Sequence, residues 1–83
     1  MKEKRIGKVS HFYNHLGVAI VELNDSLRVG EKVHFVGHST DFEQPALSLE
    51  VDGKKVEEAK KKQVVGVEVK EMVREHDDVF RVE

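Results

Sequence analysis

The sequence contains no cysteine, which excludes a disulfide framework, a thiolate nucleophile and any zinc or iron–sulfur site built on thiolates. Long apolar runs are also missing. The longest aliphatic stretch is Val18 to Val21, far short of the ~20 residues that cross a bilayer. The charged opening Met1-Lys2-Glu3-Lys4-Arg5 is not followed by the ~7–15 apolar residues of a secretory signal. Positive charge is not in excess either: 14 Lys and Arg stand against 16 Asp and Glu, for a net charge of −2. No whole-molecule field draws in nucleic acid, so any such contact is confined to a local patch. The expectation is a cytoplasmic protein with no membrane contact.

What is present is charge and short β-patterned segments. Charged residues make up 36% of the chain, against ~25% in an average domain, which implies a densely charged surface. A chain of 83 residues suffices for one domain that buries somewhat over ~60% of its unfolded surface. We therefore expect a single domain over 1–83, with its core between about residues 5 and 82.

The chain is organised around Leu27-Arg28-Val29-Gly30-Glu31-Lys32-Val33-His34-Phe35-Val36-Gly37. Gly30-Glu31 is a turn in which a residue without Cβ takes φ > 0, and Lys32 to Val36 then alternates as a half-buried strand does. Val33 and Phe35 share its inner face. Upstream, Ile6 to Phe12 reads as a strand with Gly7, Val9 and His11 on one side and Ile6, Lys8 and Ser10 on the other, the buried side being left open. Tyr13 to Gly17 is a turn, and Val18 to Leu23 a strand with Ala19, Val21 and Leu23 inward. Downstream, His38 to Pro45 is polar and carries the only proline, which cannot donate to a central ladder. Ala46 to Val51 alternates with Leu47, Leu49 and Val51 on one face. Asp52-Gly53 is a hairpin turn into Lys54 to Glu57. Glu57 to Lys62 is a charged connection, and Val64 to Val69 a strand with Val65, Val67 and Val69 inward. Gly66 permits a bend or bulge there. After a polar stretch from Glu71 to Asp78, Val79 to Val82 is a last strand. Six or seven short antiparallel strands predict an all-β fold, a small closed or nearly closed barrel without exposed edges.

The order Gly7-Lys8-Val9, Gly17 to Leu23 and Leu27 to Gly37, followed by Ser48-Leu49-Glu50, Val56 to Ala59 and Val65 to Val69, resembles the second domain of translational GTPases of the elongation factor Tu type. The resemblance runs from about Arg5 to Val82 and implies the translation-protein β-barrel, with Gly30 and Gly66 as structural glycines. It departs from the family at Lys62-Gln63, where a Gly-Asp pair is usual. The GTPase domain itself is absent: Gly53-Lys54-Lys55 has neither the upstream glycine nor the hydroxyl that a phosphate loop requires, so the chain binds no nucleotide on its own. Similar barrels serve as adaptors in RNA-modifying ribonucleoproteins and at the C-terminus of some collagenase-like peptidases.

Lys8, His11, Phe12 and Tyr13 mix charge with aromatic rings, the combination that holds phosphates and stacks bases, and Lys60, Lys61 and Lys62 form a second basic run. They are the candidate nucleic-acid contacts. The competing reading places Phe12 in the core and leaves the lysines solvated. His11/His15 and His34/His38 share an HxxxH spacing, but strands and turns do not guarantee its geometry and no third ligand is evident, so no metal site is assigned. Ser10-His11 and Ser39 with Asp41 lack the setting of a nucleophile elbow, and the pairs Glu57-Glu58 and Asp77-Asp78 have no apolar surroundings to raise a pKa. The expected function is therefore a non-enzymatic adaptor without cofactor that contacts RNA or a ribonucleoprotein. The alternative is a protein-interaction or dimerisation module serving a separate enzyme such as a peptidase or an RNA-modifying enzyme.

Overall fold

A computed structural model describes residues 2–83. The described residues form ten strands and no helix: β1 (Glu3–Tyr13), β2 (Val18–Leu23), β3 (Leu27–Arg28), β4 (Lys32–Val36), β5 (Asp41–Pro45), β6 (Leu49–Val51), β7 (Lys54–Val56), β8 (Glu58–Ala59), β9 (Val64–Glu68) and β10 (Asp78–Val82). Eight of them make one antiparallel sheet in the order β5-β4-β10-β1-β2-β9-β6-β7, while β3 and β8 pair separately. Among the described residues no helix is long and apolar enough to cross a membrane.

The expected inner faces are observed in β2, β4 and β9, where Ala19, Val21, Val33, Phe35, Val65 and Val67 are all buried. Strict alternation fails in β1. Its register shifts between Arg5 and Gly7 against β10, and between Val9 and His11 against β2. Each shift adds one unpaired residue and changes which side the next residue faces. Ile6 and Val9 thereby both enter the core, and His11, expected on the face of Val9, turns outward. Ser10 occupies the second bulge and its hydroxyl donates to the Ile20 carbonyl at 3.2 Å.

Barrel closure is the point at which the fold departs from expectation. No backbone ladder joins β5 to β7, so the sheet keeps two edges. Both are poor templates for pairing: β5 ends on Pro45, and β7 is three residues long with two lysines. The sheet nevertheless curls over its core through a side chain. Gln44, 3% exposed, donates to the Glu68 carbonyl at 2.7 Å and accepts from the Lys70 amide at 2.8 Å, so that β5 is tied to the end of β9. The proline-bearing segment, excluded from a central ladder, is thus an edge strand that contributes Phe42 and Gln44 to the interior. Leu47, expected inside, is 60% exposed, and Ala46 is buried in its place.

Two turns depend on backbone freedom. Gly30 has φ +97 and passes the chain from β3 to β4, its amide donating to the Ala46 carbonyl at 2.9 Å. The Asp52-Gly53 hairpin has positive φ at both residues, 54 and 78, as a type I′ turn requires.

Candidate functional site

The outer surface of the sheet divides into two halves. On the half formed by β5, β4, β10 and β1, the charges around His34 are matched internally. Arg5 pairs with Asp78 at 2.8 Å and Lys32 with Glu43 at 3.6 Å. His34 lies between two carboxylates, Nδ1 at 2.9 Å from Glu3 and Nε2 at 2.5 Å from Asp41. The hydrogen bond to Asp41, and then that to Glu3, hold its pKa above the ordinary 6.5 against the opposing effect of partial burial. Glu3, His34 and Glu43 also offer ligand atoms within 4.8 Å of one another. Both imidazole nitrogens already face carboxylates, which is the setting of an imidazolium rather than of a free metal ligand.

The half formed by β2, β9, β6 and β7 is different. Cross-strand partners share a face, so Val18 lies beside Glu68, Ile20 beside Gly66, and Gly66 beside Glu50. Val18, Ile20, Gly66 and Glu50 floor a groove of about 500 Å³ whose other walls are Tyr13, Leu16, Asp52, Gly53 and Val64. Leu16 is 71% exposed, Val64 50% and Tyr13 48%. Leu16 is also held in place, because its amide and that of Gly17 both donate to the Tyr13 carbonyl, at 3.1 and 2.9 Å. Glu50 and Asp52 at the rim form no ion pair among the described residues, and Lys55 is the cross-strand neighbour of Glu50.

The residues expected to contact RNA are distributed as follows. Phe12 packs against the core, Lys8 is exposed between Glu22 and Asp78 on the neighbouring strands, and His11 and Tyr13 face outward with ring centroids 4.4 Å apart. His11 also meets Glu75 at 3.3 Å. Lys60, Lys61 and Lys62 are exposed, and Lys62 donates to the Leu23 carbonyl at the far end of β2 from Val18 and Tyr13. A six-residue strand spans ~20 Å, so the lysine run and the aromatic pair lie at opposite ends of β2. Neither HxxxH pair supplies the recorded partners of its histidines, since those of His34 and His11 are carboxylates. Gly66 introduces no bulge, because the β2–β9 register runs through it unbroken.

Sequence reasoning missed three buried polar groups. Besides Gln44 and Thr40, Asp77 is 5% exposed, although it was expected to be solvated. Its carboxylate accepts from the Arg74 amide at 2.8 Å and lies where a Cβ on Gly37 would overlap it. The available signal was Gly37, whose missing side chain makes room for that carboxylate.

No protein-family model matches the chain. It is 38% identical over 76 residues to an uncharacterized protease of Methanocaldococcus jannaschii, a match that takes in 90% of this chain and 19% of the protease. The chain thus spans about a fifth of that relative. Among solved structures, the C-terminal domain of a Geobacillus thermoleovorans protein described as a U32 peptidase superposes with a TM-score of 0.90 at 22% identity, over 96% of this chain and 93% of that domain. The selenomethionine variant of the same domain gives 0.86 at 23%, over 92% and 96%. The fold is that of this peptidase C-terminal domain.

These findings correct the expected kinship with the elongation-factor second domain and remove the ground for a translation-factor-like RNA adaptor. The physical reason lies in the motifs themselves. Val29-Gly30-Glu31 and the valine-rich strands mark a turn and a two-residue period that many small β-sheets need, so they identify an architecture rather than a family.

Proposed function

We propose that this chain is a non-catalytic accessory module of a U32-type peptidase. The observation that carries this reading is the match of 76 residues to 19% of a protease chain, the proportion expected of an appended domain. The fold correspondence with a peptidase C-terminal domain supports it. The polar groups support a non-enzymatic role. The Ser10 hydroxyl is committed to the Ile20 carbonyl, and the recorded ionic partners of His11 and His34 are carboxylates rather than a hydroxyl to be activated. The side-chain clamp of Gln44 supports a nearly closed, barrel-like shell rather than a flat sheet.

The test deletes the matching segment from the Methanocaldococcus jannaschii protease and measures hydrolysis of an unfolded polypeptide by three samples: the truncated protease, a chimera carrying this chain in the gap, and this chain alone. The chimera is expected to recover activity that the truncated protease has lost, with none in the chain alone. Hydrolysis by the purified chain, or full activity without the segment, would overturn the reading.

A further inference from the structure

Resting on that reading, we infer that the groove on the outer face of β2 and β9 seats a segment of the peptidase body that presents one bulky apolar side chain flanked by lysine or arginine. Gly66 is the first ground. Glycine inside a strand is destabilising and marks places where another group approaches closely. Here the fold does not demand it: the register is continuous, its φ lies outside the left-handed range, and a Cβ would sit 3.4 Å from Val18 Cγ1, 3.7 Å from Ile20 Cδ1 and 3.9 Å from Glu50 Cβ. A small side chain would be in near-ordinary contact, and its absence leaves a hole lined by Val18, Ile20 and Gly66.

The second ground is apolar surface held open to water. Leu16 is fixed over the groove by a hydrogen-bonded turn and is still 71% exposed, and Val64 and Tyr13 extend the same patch. The third is charge. Glu50 and Asp52 are the charged residues of the lining and form no ion pair among the described residues, so even with Lys55 across from Glu50 on β7 the rim keeps an excess negative charge complementary to a cation. The fourth is size. A groove for one or two side chains falls far below the ~1,200 Å² of a stable free-standing interface. A tethered partner needs much less, since a short linker supplies a local concentration near ~1 mM. The relative carries the other four-fifths of its residues on the same chain as its matching segment.

The experiment compares the isolated chain with the chimera, using hydroxyl-radical footprinting of Leu16 and Tyr13 read by mass spectrometry. For a groove affinity of ~0.1 mM at a tethered concentration of ~1 mM, oxidation of both residues falls about tenfold in the chimera. Gly66→Val fills the groove and Glu50→Lys with Asp52→Lys reverses its rim, and each is expected to restore the oxidation rate of the isolated chain. Rates unchanged in the chimera would overturn the inference, as would protection indifferent to both sets of variants. Protection that grows with concentration in the isolated chain would assign the groove to a second copy. Protection that requires added peptide would assign it to substrate, and both results overturn the inference. Hydrolysis by the same chimera is a separate readout: activity independent of the module, with Leu16 protected, sinks the accessory role and leaves the docking intact.

Discussion

The two halves of the outer surface are made from the same kind of strand, and they differ in how their polar groups are matched. Around His34, the residues Glu3, Arg5, Lys32, Asp41, Glu43 and Asp78 find partners on other strands of the same half. Across β2 and β9 the surface is apolar, indented at Gly66 and rimmed by carboxylates without ionic partners. A surface whose charges neutralise one another gains little by meeting another molecule. One that keeps aliphatic side chains wet and carboxylates unmatched gains on covering. The histidine half therefore serves the fold, and the grooved half is the place to look for a partner.

The largest expected effect lies where the two halves are tied together. Gln44→Ala leaves the Glu68 carbonyl and the Lys70 amide without their partner, and should cost about 2–3 kcal/mol in urea unfolding. A cost below ~0.5 kcal/mol would mean that the clamp holds nothing. Next comes the histidine half. His34 binds its proton more tightly in the folded chain than the ordinary 6.5 implies, so its contribution is fully present below pH 6.5 and is lost as pH rises through the folded value. His34→Gln should therefore lower the melting temperature most near pH 5.5, by the equivalent of about 1 kcal/mol, and much less near pH 9. A gap that does not vary with pH would break the assignment of this half to internal ion pairing.

Asp25 sharpens the same contrast from the acid side. The Lys4 hydrogen bond, and then the Ser26 amide, lower its pKa from 3.8 to about 2. Its stabilisation is complete above pH 3.8 and disappears as pH falls through 2, so Asp25→Asn should narrow the difference from wild type in an acid titration followed by circular dichroism. On the grooved half the effects on stability are smaller. Gly66→Val should raise stability by about 0.5–1 kcal/mol, because it removes the strand glycine while adding ordinary contacts. Leu16→Ser should change it by less than ~0.5 kcal/mol. A large loss in either variant would show that the groove is part of the core and not a surface held open.

Much of this was legible in the chain. The inner faces of β2, β4 and β9, the turn at Gly30 and the hairpin at Asp52-Gly53 follow from a two-residue period and from backbone freedom, which are local properties. Phe42 and Gln44 escaped because Pro45 rules out a central strand but gives no sign that an edge strand forms in its place. Asp77 escaped because a buried carboxylate depends on a glycine forty positions away in the chain. The outward turn of His11 escaped because a bulge changes facing without any mark in the composition.

Short-range patterning thus pointed to an antiparallel all-β chain and to the limits of β2, β4 and β9, but it counted six or seven strands where ten form. It also suggested a family, wrongly, because turn glycines and alternating valines are shared by unrelated small sheets. The fold alone decided which strands become neighbours, that two edges stay unpaired, and that Val18, Ile20, Gly66 and Glu50 from three separate strands meet in one groove. Contacts between residues distant in the chain depend on how the whole sheet curls, and no local period carries that information.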